Sequence, residues 1–106
     1  MSVVVEPVIV EVGDGIIEAF LSGDIDHKNA AAIRYDIDFA IERHKPKTLV
    51  LDFSKVEFMD SSGIGLIMGR FKKLSPIGGR LVVAGASGTI KKVMKIAGIE
   101  KLAELV

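Results

Sequence analysis

The sequence predicts an α/β fold: a mixed β-sheet opened by an antiparallel hairpin and continued by βα crossover units. Three observations carry that reading. Two β-rich runs, Val8-Ile9-Val10-Glu11-Val12 and Ile16-Ile17-Glu18-Ala19-Phe20-Leu21, flank Gly13-Asp14-Gly15, and an Asp-Gly pair between such runs is a strong hairpin signal. From Asp26 the apolar residues switch to helical spacing. Thereafter short apolar runs alternate with helical patterns, as in parallel strands joined by right-handed crossovers.

The first helix is expected over residues 27–44, where Ala30, Ile33, Ile37, Ala40, Ile41 and His44 recur at helical spacing, Asp26 can cap the start and Pro46 marks the end. Thr48-Leu49-Val50-Leu51-Asp52-Phe53 reads as a buried strand reached by a crossover. A loop is expected over residues 54–59. Asp60 then precedes Ile64, Ile67, Met68, Phe71 and Leu74, one broad helical face that predicts a second helix over 61–74, ended by Ser75-Pro76-Ile77-Gly78-Gly79. Arg80-Leu81-Val82-Val83-Ala84 is a further strand. Ser87 caps a third helix carrying Ile90, Val93, Met94 and Ala97, Gly98 is its left-handed stop, and residues 102–106 are read as a last short strand. The predicted order is ββαβαβα(β), with no internal repeat, linker or low-complexity tract.

A chain of 106 residues fits one domain, residues 1–106, without room for a separate catalytic domain. With 49% hydrophobic and 26% charged residues, it can build a core and stay soluble, which excludes disorder. Fourteen basic side chains balance fourteen acidic ones, so no overall field draws the protein onto nucleic acid or an anionic membrane, although a local patch would survive the cancellation. The absence of cysteine removes disulfides, thiolate nucleophiles and cysteine-based metal sites, and fits a cytoplasmic protein. Met1-Ser2-Val3-Val4-Val5-Glu6-Pro7 has no basic leader, and no uncharged run approaches membrane-spanning length, so neither export nor membrane insertion is expected.

The most informative stretch is Met59-Asp60-Ser61-Ser62-Gly63. Asp60 can accept hydrogen bonds from the first free N–H groups of the second helix, and the two serines occupy its opening turn, where those donors and the positive end of the helix dipole converge. A phosphate would be well received there. On local chemistry alone, a good helix start is the simpler explanation.

The surrounding match changes that balance. Leu49-Val50-Leu51-Asp52-Phe53, followed by Val56-Glu57-Phe58-Met59-Asp60-Ser61-Ser62-Gly63-Ile64-Gly65-Leu66, closely resembles the signature of anti-sigma-factor antagonists of the STAS family. Gly23-Asp24-Ile25-Asp26-His27 is similar to that family's earlier loop. Gly78-Gly79-Arg80-Leu81-Val82-Val83 and Ile96-Ala97-Gly98-Ile99 are similar to its later strand and helix end. The likeness covers nearly the whole chain and is greatest to the sporulation-type antagonist. It implies a STAS-like fold and a protein that binds an anti-sigma factor which is also a serine kinase, so releasing the sigma factor. It further implies that this kinase phosphorylates Ser62, the second motif serine, that a separate serine phosphatase resets it, and that Asp26 and the Asp60 loop lie beside it. The recognition surface implied is residues 24–29 (Asp24, Asp26, His27, Asn29), residues 58–63 (Phe58, Met59, Asp60, Ser61, Ser62, Gly63) and the exposed edge of the second helix. The family usually continues past the last strand with another helix, whereas this sequence ends at Val106.

Other chemistries fit less well. Gly63, Gly65 and Gly69 superficially suggest a dinucleotide fingerprint, but the expected loop and Asp60 separate them from the strand, so close helix packing is the expected role. Gly85-Ala86-Ser87-Gly88 lacks the Gly-Lys-Ser/Thr ending of a P-loop. Asp26, His27 and Ser62 could be imagined as a hydrolase triad, but there is no nucleophile elbow. The two histidines lack enough partners for zinc; no cofactor or metal is expected. Tyr35 and Phe39, spaced i,i+4 partly off the apolar stripe, are expected to widen its buried face, with a partner-binding patch as the alternative. Lys72, Lys73, Lys91 and Lys92 read as solvated helix faces. The competing functions are a non-switching interaction module, as in stressosome or transporter-associated STAS domains, and a small nucleotide hydrolase.

Overall fold

The structure, a computed structural model, describes residues 7–106; the leaderless N-terminus read from the sequence lies largely outside the described residues. The elements follow the expected order: β1 (Val8–Gly13), β2 (Ile16–Ile25), α1 (His27–His44), β3 (Thr48–Met59), α2 (Ser61–Leu74), β4 (Arg80–Ala84), α3 (Gly88–Ile96) and β5 (Glu104–Leu105). Short 3₁₀ turns, Ser75–Ile77 and Ile99–Lys101, follow α2 and α3. The hairpin forms where Asp14 and Gly15 adopt φ of 50° and 78°, the pair of left-handed residues that matches the twist of the flanking strands.

The sheet order is β1-β2-β3-β4-β5, antiparallel only between β1 and β2. Each crossover steps one strand in the same direction, so the right-handed rule puts all three helices on one face. Burial agrees. Ile17, Ala19, Leu21, Leu49, Leu51, Phe53, Leu81 and Val83 are buried and join Ile33, Ile37, Ile67, Leu74 and Met94 in one core. On the other face Glu11, Glu18, Val50, Asp52 and Val82 remain at least partly exposed.

Four expectations need correction. Residues 54–59 are not a loop: β3 continues through them to Met59, paired with a β2 that itself runs on to Ile25. The pairing shifts register between Phe20 and Ser22 and between Gly23 and Asp24. These shifts break the period-two alternation that would otherwise mark the segment as strand. Tyr35 and Phe39 do not widen the buried face; they are 71% and 57% exposed, because α1 packs through Ile33, Ile37, Ala40 and Ile41 alone. Met68, placed by its spacing on the apolar face of α2, is 38% exposed, since that helix buries Gly63, Leu66, Ile67, Arg70 and Leu74. Lys73 does not stand alone on a solvated face: it pairs with Glu42 across α1 and α2. Its hydrogen bond holds the Glu42 carboxyl below, and the Lys73 ammonium above, their usual ranges.

Between α1 and α2 lies a buried charge. Arg70, 5% exposed, sets Nε 2.9 Å from Asp38 Oδ1, a close charge contact rather than a well-aligned hydrogen bond, and its Nη1 has no protein hydrogen-bond partner. Burial lowers the Arg70 pKa most, Asp38 raises it and Arg34 lowers it further. Asp38→Ala should therefore leave a buried cation uncompensated, and because Asp38 is itself 23% exposed the loss should fall near the lower end of the roughly 3–5 kcal/mol typical of broken buried pairs. Adding Arg70→Met should restore much of it. Urea unfolding of both variants checks this, and a double variant weaker than Asp38→Ala alone would contradict it.

The start of α2 is packed tightly on the strand ends. A Cβ at Gly63 would overlap Met59 Cγ and Sδ and lie 3.3 Å from Ile25 Cγ2. Gly63→Ala should cost about 1–3 kcal/mol through overpacking, read as a lower urea midpoint at unchanged slope. Unchanged stability would mean that Met59 swings aside freely.

Candidate functional site

The predicted site residues lie at the C-terminal ends of two adjacent parallel strands. In the β2–β3 ladder Asp24 faces Phe58 and Ile25 faces Met59, and Asp60 N–H donates to the Ile25 carbonyl at 3.1 Å. The chain then enters α1 and α2 side by side. Each helix begins with an aspartate in extended backbone: Asp26 accepts from Asn29 N–H at 2.8 Å, and Asp60 accepts from Ser62 N–H at 2.7 Å. Both are N-caps, which favour a polar oxygen that satisfies a free helical donor. Asn29 also donates through Nδ2 to the Asp24 carbonyl at 3.0 Å, tying the end of β2 to the first turn of α1.

These contacts bring together all ten predicted residues, although residues 24–25 and 58–59 are strand ends rather than loops. Asp24, His27 and Ser61 are exposed, while Asp26, Asn29, Met59, Asp60 and Ser62 are half-buried and Gly63 is buried. Phe58 is 54% exposed, an aromatic on a strand end beside the acidic caps, of the kind that anchors protein interfaces. Of the three glycines expected to permit close packing, only Gly63 does so: a Cβ at Gly65 or Gly69 would meet nothing within 4 Å.

A shallow groove runs between the two helices. From α1 it is lined by His27, Ala30, Ala31 and Arg34, and from α2 by Ser62, Gly65 and Leu66. Ser61 lies outside it. A second hollow, sharing Ala31 and Arg34, continues along the helices to Asp38, Glu42 and Lys73. Arg34 was missed in the sequence. Its signal was present: His27, Ala31 and Arg34 are spaced i, i+4, i+7 and fall on one helical face.

The arrangement is poorly suited to hydrolysis. The Asp26 carboxylate caps Asn29 rather than orienting His27, and no hydrogen bond links Asp26, His27 and Ser62, whereas a triad needs a base held in line with its nucleophile. Among the described residues no cluster of three or more histidines or carboxylates could hold a metal, and no helix is long and apolar enough to cross a membrane.

Comparison with known proteins agrees with this geometry. Residues 7–105 match the STAS domain family. An anti-sigma F factor antagonist of Paenibacillus polymyxa is 33% identical over 88 residues, covering 83% of this chain and 75% of the relative. The solved structure of the anti-sigma factor antagonist SpoIIAA in its unphosphorylated form superposes with a TM-score of 0.76 at 29% identity, covering 93% of this chain and 86% of that one. The Bacillus cell fate determinant SpoIIAA in its phosphorylated form gives 0.75 at 30% identity, covering 93% and 90%. With a family match over residues 7–105 and a relative 33% identical over 83% of its length, this chain belongs to the STAS domain family.

Proposed function

We propose that the protein is an anti-sigma-factor antagonist whose unphosphorylated form binds an anti-sigma factor with serine kinase activity, and that phosphorylation of Ser62 turns it off. The observation that carries this is the Asp60-capped start of α2, which fixes Ser62 in the inter-helix groove beside the exposed Phe58 and the acidic strand ends. Relatives named as anti-sigma F factor antagonists, and a structural relative known in both unphosphorylated and phosphorylated forms, support the assignment. The partner surface comprises Asp24, Asp26, His27, Asn29 and residues 58–63. In the transfer, the γ-phosphoryl group of ATP passes to Ser62 Oγ, the hydroxyl proton is lost and ADP leaves; a separate serine phosphatase reverses the state by hydrolysis. The protein acts in the cytoplasm, as a substrate rather than an enzyme.

Exposure alone would favour Ser61. Ser62 is preferred because its backbone is held by Asp60 and it lines the groove, so that a phosphate there sits on the opening turn of the helix, at the positive end of its dipole. Ser62→Ala should abolish phosphorylation by the cognate kinase while keeping the fold, as mass spectrometry and far-ultraviolet dichroism would read. Full phosphorylation of that variant moves the site to Ser61.

Phosphorylation should act on binding rather than on folding. It adds a charge of about −2 at a surface helix terminus, so the melting temperature should move by only a few degrees. Ser62→Asp should bind the anti-sigma factor far more weakly than Ser62→Ala: a loss of about 3 kcal/mol is roughly a hundredfold in affinity, falling mainly on dissociation. Calorimetry at fixed salt measures it. Equal affinity of Ser62→Asp, the phosphorylated protein and the unmodified chain would favour a non-switching interaction module instead.

A further inference from the structure

The seam between α1 and α2 carries more positive than negative charge, and one cation in it has no partner among the described residues. Asp38, four residues beyond Arg34 and so on the same face of α1, contacts Arg70 instead. Glu42, the next carboxylate along the helix, pairs with Lys73. Among the described residues, Arg34 makes no hydrogen bond or ion pair. Three cations, Arg34, Arg70 and Lys73, therefore face two carboxylates. Arg70 itself is buried and leaves Nη1 without a protein hydrogen-bond partner; burial does most to disfavour its charged form, and Arg34 adds to it.

Arg34 also lines the groove that contains Ser62. Both helices follow parallel strands on one face of the sheet, so they run in the same direction with their starts level. Arg34 lines both hollows of the seam, and because long helical side chains lean toward the helix N-terminus its guanidinium can reach the Ser62 end of the groove as well as the Arg70 end. Besides His27 and Leu66, the groove between them is lined by the small residues Ala30, Ala31 and Gly65, and a Cβ at Gly65 would meet nothing within 4 Å. A phosphate on Ser62 would meet Asp60, whose carboxylate already holds the Ser62 amide, and Asp26 on the neighbouring cap. Those negative groups favour a facing cation once the phosphate is in place.

We propose that Arg34 is the intramolecular receptor of the phosphorylated Ser62 side chain, its guanidinium pairing with the phosphate across the α1–α2 groove. This rests on Ser62 being the modified residue and deepens that reading. Phosphorylation then does two things at once. It adds negative charge to the docking surface, and it engages a guanidinium that the unmodified protein presents free beside that surface. Arg suits the task because its planar fork can grip two phosphate oxygens, which Lys cannot.

The test uses the full chain with phosphoserine installed at residue 62 during translation, so that no kinase is needed, and follows the phosphate by phosphorus NMR as pH is varied. The second ionisation of phosphoserine lies near pH 6, and a paired cation favours the dianion. The groups facing the phosphate are Asp26, His27, Asp60 and Arg34, with Arg70, Asp38 and Lys73 farther along the seam. The midpoint in the parent should lie at least about half a unit below that of Arg34→Ala, with Arg34→Lys between them. Lys28→Ala removes an equally exposed cation of α1 that does not line the groove and should match the parent. Arg34 is exposed, so unphosphorylated Arg34→Ala should melt as the parent does. Equal midpoints for the parent and Arg34→Ala, or an equal shift in Lys28→Ala, would overturn the proposal while leaving Ser62 phosphorylation by the partner kinase standing. Failure of that kinase to modify Ser62 would remove the biological reading and leave this measurement unchanged.

Discussion

The site depends on the parallel ladder between β2 and β3 and on how far it extends. Beyond Asp52, β3 loses its other neighbour, since β4 pairs only with Thr48–Asp52. From Ser54 onward it is held by β2 alone, through Ser22↔Lys55 to Ile25↔Met59. That last stretch sets the separation and the level of the two helix starts, and Asp60 N–H to Ile25 carbonyl closes it. A register slip of one residue would exchange the faces of Phe58 and Met59. It would expose the methionine packed against Gly63 and bury the aromatic now offered to solvent. The two register shifts are therefore what lets a ten-residue strand pair with a twelve-residue one and still finish with Asp26 and Asp60 side by side.

The seam between the helices follows from that placement. With their starts level, α1 and α2 pack along their length, and the buried sides of that contact are apolar through Ile33, Ile37 and Ile67. Toward its outer edge the seam becomes ionic, with Arg70, Asp38, Glu42 and Lys73. The Glu42–Lys73 pair is solvated and adds little to stability. Arg70 differs because it is buried, and a buried cation with one misaligned carboxylate is an expensive way to join two helices compared with an apolar pair. Its presence makes the packing sensitive to charge along the seam, which is where Ser62 and Arg34 lie.

How much of this was legible in the sequence depended on whether a feature is local. The hairpin, the three helices and their Asp26, Asp60 and Ser87 caps were readable because each rests on side chains within a few residues of the backbone they satisfy. The second half of β3 was not, because Ser54-Lys55-Val56-Glu57-Phe58 has neither clean alternation nor an apolar run, and its strand character comes from β2. Tyr35 and Phe39 misled because helical spacing gives a face but not what covers it. The same limit hid Arg34. Its place on the His27 face was computable, but its lack of a partner follows only from Asp38 and Glu42 turning to cations on another helix. For the site, the motif located Ser62 and its cap, while the groove required the tertiary structure.

These geometric facts bear on how a phosphate could control binding without unfolding the protein. Near a helix N-terminus, a negative charge is favoured by about 0.3–1 kcal/mol, while Asp60 two residues away opposes it by a comparable amount across solvent. The two nearly cancel, so the fold has little reason to respond, and Ser62 lies on a helix whose start is fixed by Asp60 and by the close approach of Gly63 to Met59. At an interface the balance differs. A partner covering Phe58 and the strand ends would strip water from the groove, and in that drier setting the same charges interact several-fold more strongly. A modification almost neutral for folding thus becomes costly for association. The asymmetry would arise because the serine is half-buried on a rigid element at the edge of the proposed docking surface: buried more deeply, its phosphate would disrupt the core, and farther out, solvent would screen it from the partner.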